Sequence, residues 1–329
     1  MTWAFIKLLI GFVLLFCGGN WLVDGGVSIA NRLKISPLVI GMTIVAIGTS
    51  APELLVSTIA SIKGSSGIAM GNVIGSNIAN IGLILGITSI ICPIVAKKIS
   101  IIANGGVMIL TTLALAFLSS TNVGLSRVDG AILTISLILF ILISIITGKE
   151  SGDGTEDNST TMALFPSILL IILSCEMLAW GADLLVDNAT IIAKRLNVSD
   201  KVIGLTIVAI GTSLPELAAS LIAATKRRMD ISLGNIIGSN IFNILAVLGI
   251  SSTITPIKID FSTYQGDYIY ALLLSLLLVL FILPWRENLK LFKETKSVKA
   301  FKNLTNGRLG RLSGMILLAI YIYYIVSLF

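Results

Sequence analysis

A hexapeptide that occurs twice constrains this chain more than any other feature. Residues 48–53 read Gly-Thr-Ser-Ala-Pro-Glu, and residues 211–216 read Gly-Thr-Ser-Leu-Pro-Glu. The surrounding identity covers 11 of 13 positions, and the same spacing of 163 residues superimposes a second motif, GNVIGSNIAN at residues 71–80, on GNIIGSNIFN at residues 234–243. The chain is therefore an internal duplication, and each copy places an acid within apolar sequence.

The composition indicates an integral membrane protein. Of 329 residues, 55% are hydrophobic and only 12% are charged, and the mean hydropathy is +0.99. A spanning helix needs about 20 apolar residues. Ten segments meet that requirement: residues 4–23, 37–60, 67–91, 101–118, 129–147, 162–186, 200–224, 231–254, 268–284 and 312–329. We therefore predict an all-α polytopic membrane protein of ten transmembrane helices.

The duplication divides these helices into two units of five. The match begins in the first helix, because the Leu-Val-Asp at residues 22–24 recurs at residues 185–187. We predict a first repeat at residues 1–147, a hydrophilic cytoplasmic linker at 148–161 and a second repeat at 162–329. Because five is odd, the second unit must cross the membrane in the opposite sense. Such inverted repeats are typical of secondary transporters, whose site lies near the midplane.

The basic residues indicate an orientation. The net charge is +6, and an outside N-terminus places 16 of the 23 Lys and Arg in cytoplasmic loops, as the positive-inside rule expects. We predict a multi-pass protein of the cell inner membrane with both termini extracytoplasmic. Topology explains the charge without nucleic acid as a partner, and the sequence indicates the lipid bilayer but no obligate protein partner.

Glu53 and Glu216 are the leading candidates for site residues. A carboxylate within the bilayer costs a few kcal/mol even on lenient scales, so an intramembrane acid is a functional candidate by default. Each follows a proline, which lacks the N–H of a helical hydrogen bond and therefore frees a backbone carbonyl one turn earlier. The hydroxyls beside them add further oxygen atoms: Thr49, Ser50, Thr212 and Ser213.

The second motif adds polar side chains to the same surface. Residues spaced by four lie along one helical face, and the residues concerned are Asn72, Ser76 and Asn80 with Asn235, Ser239 and Asn243. Such residues also bond helix to helix in membranes, but their duplication beside paired glutamates favours a cation site. Na⁺ and Ca²⁺ prefer oxygen ligands. The chain has no His, and its three Cys lack metal-binding spacing, which argues against zinc or copper.

Three further acids are weaker candidates. Glu176 lies in the sixth apolar segment and has no acidic counterpart in the first repeat, where Val13 stands. We expect it to face the bundle or a water-filled vestibule. Asp24 and Asp187 lie at the predicted helix ends, where they are expected to cap helices or to line a vestibule.

At the two motif pairs the chain resembles the cation/calcium antiporter superfamily, most closely its prokaryotic sodium/calcium exchanger branch. The motifs are those of residues 48–53 with 71–80, and of residues 211–216 with 234–243. The resemblance extends over nearly the whole chain in helix count, repeat placement and central linker. It implies exchange of sodium for calcium by alternating access, with the first and sixth helices sliding across the bundle that holds the ions.

The resemblance also implies a set of ion ligands. Calcium would be held by Glu53, Glu216, Thr49 and Thr212. Flanking sodium sites would be completed by the side chains of Ser50, Ser76, Ser213 and Ser239 and by the carbonyls of Ala46 and Ala209. Asn80 would line the centre. Many relatives have Asp where this chain has Asn243, and the acid is associated with potassium, so its absence leans against potassium coupling.

We therefore expect a sodium/calcium antiporter, not an enzyme, with transported calcium and sodium ions and no cofactor. A proton-coupled cation exchanger on the same fold is the nearest alternative, and the gradient that drives calcium would separate the two. A cation channel could use similar oxygens, but inverted repeats with broken helices favour a carrier. An intramembrane protease is weaker still, because such enzymes use Asp in a different motif.

Overall fold

The structure is a computed structural model that describes residues 2–121, 124–150, 162–196, 211–283 and 306–328, and it is mostly helical. Residues 151–161 of the predicted linker lie outside this range. The same holds for residues 197–210, which include most of the first half of the predicted seventh helix and the candidate residue Ala209.

The described part of the first half consists of ten helical elements and one strand. In chain order they are α1 (Thr2–Leu33), α2 (Pro37–Ile40), π1 (Gly41–Val45), α3 (Ala46–Thr49), α4 (Ala51–Ile62), α5 (Ser66–Ala79), π2 (Asn80–Leu85), α6 (Gly86–Ile91), β1 (Ile94–Lys97), α7 (Lys98–Thr121) and α8 (Arg127–Glu150). Here π denotes a helix with the wider i→i+5 hydrogen-bond pattern.

The described part of the second half repeats this order where it can be followed. Its elements are α9 (Leu164–Arg195), α10 (Leu214–Thr225), α11 (Met229–Phe242), π3 (Asn243–Leu248), α12 (Gly249–Ile254), α13 (Phe261–Ile282), β2 (Asn306–Leu309) and α14 (Arg311–Ser327). The helix α11 with π3 and α12 corresponds to α5 with π2 and α6, at the spacing of 163 residues.

Within the described residues, seven helices are long and apolar enough to cross a membrane. The count is eight when the pair of segments Pro37–Thr49 and Ala51–Ile62, bent by 49°, is taken as one span. The apolar helices α10 and α14 fall below the length criterion. The structure is thus a polytopic helical membrane protein, and the figure of ten spans stays a prediction.

Lipid is the environment that the outer helices require. In α8 only 17% of the most apolar stretch is buried inside the protein, and its exposed side chains are those of residues such as Ile135, Leu139 and Ile146. An apolar surface of this extent on a soluble monomer would be unusual. The bilayer explains it, because apolar side chains facing hydrocarbon are not exposed to water.

The first and sixth helices are longer than their apolar runs. We predicted apolar spans that end at residues 23 and 186, but α1 and α9 continue to Leu33 and Arg195, and each has 32 residues. Glycines within the two helices let them pack closely. A Cβ atom on Gly181 would lie 3.0 Å from the Gly11 carbonyl oxygen, and one on Gly11 would lie 2.9 Å from the Gly181 carbonyl oxygen.

The segment α11–π3–α12 lies at the centre of the protein. In this segment 94% of the most apolar stretch is buried, against 72% for α5–π2–α6. The helices α2, π1 and α3 pack against α11, as α10 does, and α4 packs against α5. The described segments that carry the hexapeptides are therefore held against the two helices that carry the second motif.

Two short backbone pairings close the ends of the bundle. The strands β1 and β2 pair antiparallel, with Ile94 opposite Leu309. In addition Leu125 and Ile257 form an isolated bridge, with N···O distances of 2.8 and 3.0 Å. Ile257 corresponds to Ile94 at the spacing of 163, and Leu125 and Leu309 each precede by two residues the arginine that begins α8 or α14. The two pairings are therefore reciprocal between the halves.

Candidate cation site

The first hexapeptide breaks a helix at its serine, and the serine of the second has the same backbone conformation at the start of α10. Ser50 has φ −91° and ψ 9°, and Ser213 has φ −93° and ψ 6°. The following prolines occupy the first turns of α4 and α10, where the missing N–H leaves no helical hydrogen bond unmade. Glu53 and Glu216 lie in those same first turns. A helix N-terminus stabilises a carboxylate. The start of a new helix at this point therefore positions each glutamate where its negative charge is favoured.

The glycine of each hexapeptide allows α9 to approach the break. A Cβ atom on Gly48 would overlap Cys175 Sγ, and a Cβ atom on Gly211 would overlap the Val186 side chain. Both positions therefore require a residue without a side chain. Cys175 acts here as a small packing residue, as expected from its apolar surroundings.

The two glutamates are buried, with 0% and 1% of their surface exposed, and the hydroxyl of Ser50, three residues before Glu53, contacts Glu216. Ser50 Oγ lies 2.8 Å from Glu216 Oε1 and 3.0 Å from Ser239 Oγ. Because a hydroxyl has a single hydrogen, Ser50 donates to the carboxylate and accepts from Ser239. This chain of contacts brings α10, α11 and the α3–α4 break to one place.

Asn72 and Asn235 anchor the two acids in the same way. Asn72 Nδ2 lies 3.5 Å from the Glu53 carbonyl oxygen and donates to Ser57 Oγ at 2.9 Å. Asn235 Nδ2 lies 3.5 Å from the Glu216 carbonyl oxygen and donates to Ser220 Oγ at 2.9 Å. Ser57 and Ser220 were not among the predicted site residues, although each follows its glutamate by four residues, which is about one helical turn.

Thr49 and Ala46 complete the contacts at the first break. Thr49 Oγ1 lies 3.2 Å from Asn235 Oδ1 and 3.3 Å from the Ala46 carbonyl oxygen. That carbonyl also accepts the Ser50 N–H at 3.0 Å, but a carbonyl oxygen has a second lone pair. Thr212 is half-buried directly before the second break, and Ser76 is buried one turn before Asn80.

Several buried polar atoms have no hydrogen-bond partner in the described structure. Six of them are oxygens of predicted site residues: Oε1 and Oε2 of Glu53, Oε2 of Glu216, Oγ of Ser213, and Oδ1 of Asn80 and Asn243. An unpaired buried polar atom costs about 1–3 kcal/mol, so such a group of them calls for a partner. Each of the six is an oxygen that can coordinate a cation.

The asparagines at the ends of the second motif begin the π-helical segments. Asn80 is the first residue of π2, and Asn243 is the first residue of π3. Single π-turns within α-helices occur frequently at functional sites. This widening could not be predicted, because the apolar residues that follow Asn80 and Asn243 suit an α-helix within a membrane as well as a π-helix.

The other acids lie outside this group. Glu176 is exposed on α9 and does not face the interior of the bundle. Asp24 Oδ1 forms an ion pair with Lys226 Nζ at 2.7 Å. Among the described residues no three His, Cys, Asp or Glu side chains cluster as a metal site would need, so a cation here has two carboxylates and otherwise neutral oxygens.

The family match covers most of the chain. The family described as sodium/calcium exchanger protein matches residues 3–146 and 166–329, which are the two halves. This chain belongs to the sodium/calcium exchanger family. The resemblance drawn from the motifs is thereby confirmed.

Relatives and solved structures agree with the assignment. The putative antiporter CaxA of Alkalimonas amylolytica is 42% identical over 85% of this chain and 90% of its own length. The sodium/calcium exchanger MaX1 of Methanosarcina acetivorans is 31% identical over 100% of this chain and 99% of its own length. The sodium-calcium exchanger NCX_Mj, soaked with 10 mM Na⁺ and 10 mM Sr²⁺, is 36% identical with a TM-score of 0.80, covering 99% of this chain and 98% of its own. These relatives are exchangers and antiporters, not enzymes.

Proposed function

We propose that this protein exchanges sodium for calcium by alternating access, and that the ions compete for a site centred on Glu53 and Glu216. The observation that carries the proposal is that six buried oxygens of the predicted site residues, three of them on the two carboxylates, have no partner. Ca²⁺ takes six to eight oxygen ligands in flexible geometry. Two carboxylates neutralise one Ca²⁺ or two Na⁺, so the two ion types are alternatives at one site.

The ligand set of the proposal is broader than these six oxygens. We propose that calcium contacts Glu53, Glu216, Thr49 and Thr212. The residues proposed for flanking sodium sites are Ser50, Ser76, Ser213 and Ser239 with the carbonyls of Ala46 and Ala209, and those proposed for the centre are Asn80 and Asn243. Ala209 lies outside the described residues.

The proposed architecture is two inverted five-helix repeats, at residues 1–147 and 162–329, joined by a cytoplasmic linker at 148–161. The reciprocal pairings of Ile94 with Leu309 and of Ile257 with Leu125 support a two-fold relation between them. An odd number of spans per repeat inverts the second one. Together with the basic loops, this gives ten spans and two extracytoplasmic termini.

Obligatory exchange follows from the cost of leaving the carboxylates unpaired. Two buried charges that repel each other are unfavourable without a cation. A conformational change through the cation-free occluded site is therefore slow, whereas the loaded site can change the side to which it opens. The site then returns across the membrane only after the released ion has been replaced by ions of the other type.

The decisive experiment uses purified protein in liposomes loaded with sodium. After dilution into sodium-free medium, the entry of radioactive calcium is followed with a potassium ionophore present to hold the membrane potential. Uptake that requires the outward sodium gradient, at equal potassium concentration on the two sides, is the expected result. Uptake that ignores sodium and follows an imposed pH step would reject sodium coupling and assign the protein to proton-coupled exchange. Uptake without any counter-ion would identify a channel.

A further inference from the structure

An asparagine one turn away from the proposed ligands connects the two halves at the centre of the protein. Asn77 lies on α5 and is 5% exposed. Its side chain makes two contacts with the opposite half: Nδ2 donates to the Asn240 carbonyl oxygen at 3.2 Å, and Oδ1 accepts from Asn243 Nδ2 at 3.1 Å. The amide therefore joins a backbone group to a residue of the proposed site.

The backbone contact fixes which way both amides point. A carbonyl oxygen only accepts hydrogen bonds, so Asn77 must present its NH₂ group to Asn240 and its oxygen to Asn243. Since that oxygen also only accepts, Asn243 must present its own NH₂ group in turn. The oxygen of Asn243 is then the end left free, and it is buried without a partner.

We propose that Asn77 is a positioning residue that turns the Asn243 amide so that its oxygen, and not its NH₂ group, is available to the transported cation. The inference rests on the proposed function. An amide has one end that attracts a cation and one that repels it, whereas a carboxylate has two oxygens. A site that has Asn at this position therefore needs an orienting neighbour.

The matching position in the other half does not serve this purpose. Asn240 corresponds to Asn77 at the spacing of 163, but its Nδ2 donates to the Ile236 carbonyl oxygen of its own helix at 2.9 Å. Asn80, which corresponds to Asn243, has both amide atoms buried without a partner. The Asn240 side chain therefore orients no site residue in this conformation, and its Oδ1 is buried without a partner. Asn240 is the control, of the same type, burial and motif position.

The test is a double-mutant cycle on calcium affinity, measured by equilibrium dialysis of radioactive calcium against purified protein in detergent. N77A is expected to weaken calcium binding about tenfold, the effect of one hydrogen bond in a buried polar network. N240A is expected to weaken it less than about threefold. The control for folding is the midpoint temperature of unfolding of each variant, and the near-isosteric Asn77→Leu replaces N77A if the alanine variant does not fold.

The N243D background separates positioning from a structural role. Because a carboxylate needs no orientation, adding N77A to N243D is expected to weaken calcium binding less than about twofold relative to N243D alone. Equal losses in both backgrounds, or equal losses from N77A and N240A, would show that Asn77 merely supports the helices. Unchanged affinity in N77A overturns the inference alone, whereas a folded unmodified protein that binds no calcium overturns the proposed function with it.

Discussion

The two copies of the motif pair are nearly identical in sequence but unequal in surroundings. Glu216 accepts a hydrogen bond from Ser50 at 2.8 Å, while both oxygens of Glu53 lack partners. Asn235 is fully buried and contacts Thr49, while Asn72 is half-buried. Two nearly identical sequences therefore make different contacts in this one conformation. Under alternating access, the two copies would exchange these contacts when the site opens to the other side.

Replacing either glutamate is expected to have the largest effect on transport. Glu53→Gln and Glu216→Gln each remove one of the two charges that a divalent cation needs, and each is expected to lower sodium-driven calcium uptake by about 100-fold or more. Uptake into liposomes is the measurement. Glu176→Gln is the matched control, since this glutamate is exposed on α9, and it is expected to leave uptake near that of the unmodified protein.

A folded Glu53→Gln or Glu216→Gln variant that exchanges calcium normally would contradict the proposed site. Folding is checked by the elution of each variant as a single species in detergent. A loss equal to theirs in Glu176→Gln would show that any change of charge within the spans impairs the protein, and the comparison between buried and exposed acids would then carry no information about ions.

The two serines at the breaks differ in the same way as the glutamates. Ser50→Ala removes a hydrogen bond to a carboxylate and is expected to weaken calcium binding by about 10-fold or more. Ser213→Ala removes a buried hydroxyl without a partner, so it is expected to raise the unfolding temperature in cation-free detergent while also weakening the cation-induced rise. Thermal unfolding with and without calcium measures both effects. If the two variants changed the unfolding temperature equally, with and without calcium, the proposed difference between Ser50 and Ser213 would be contradicted.

A smaller difference, in stability, is expected between variants of Asn72 and Asn235. Asn72→Ala and Asn235→Ala each lose the contact to a serine at 2.9 Å, but only Asn235→Ala also loses the contact to Thr49 at 3.2 Å. We expect Asn235→Ala to be the less stable variant by about 1 kcal/mol. The measurement is the difference between their unfolding temperatures in one detergent. A lower unfolding temperature for Asn72→Ala would contradict this ranking.

Much of this arrangement could be predicted from the sequence, because the bilayer makes polar residues conspicuous. Glu53 and Glu216 could be found because apolar spans exclude carboxylates unless they have a function. The extension of α1 to Leu33 could not, since glycine is read as a helix end in soluble proteins, whereas here it permits close packing. The asymmetry between Asn77 and Asn240 could not either, because two matching motifs cannot indicate which copy forms a bond in a given conformation.

The smallest expected effect concerns an ion pair that only one half makes. Lys226 Nζ lies 2.7 Å from Asp24 Oδ1 and 3.2 Å from the Asn20 carbonyl oxygen, which ties α1 to the end of α10. At the matching positions, Lys63 and Asp187 are both exposed and form no ion pair with each other in the described structure. Partly exposed pairs contribute at most about 1 kcal/mol, so this contact can only bias the position of α1.

We therefore expect Lys226→Gln to change the rate of calcium uptake by about two- to threefold at low ionic strength, and less at high ionic strength, where added salt screens the pair. Lys63→Gln is the control. It is expected to leave the rate of calcium uptake unchanged, because Lys63 and Asp187 form no ion pair in the described conformation. If Lys63→Gln alters the rate as much as Lys226→Gln does, both pairs form during the cycle, and the inequality between the halves belongs to one conformation of the protein and is reversed in the other.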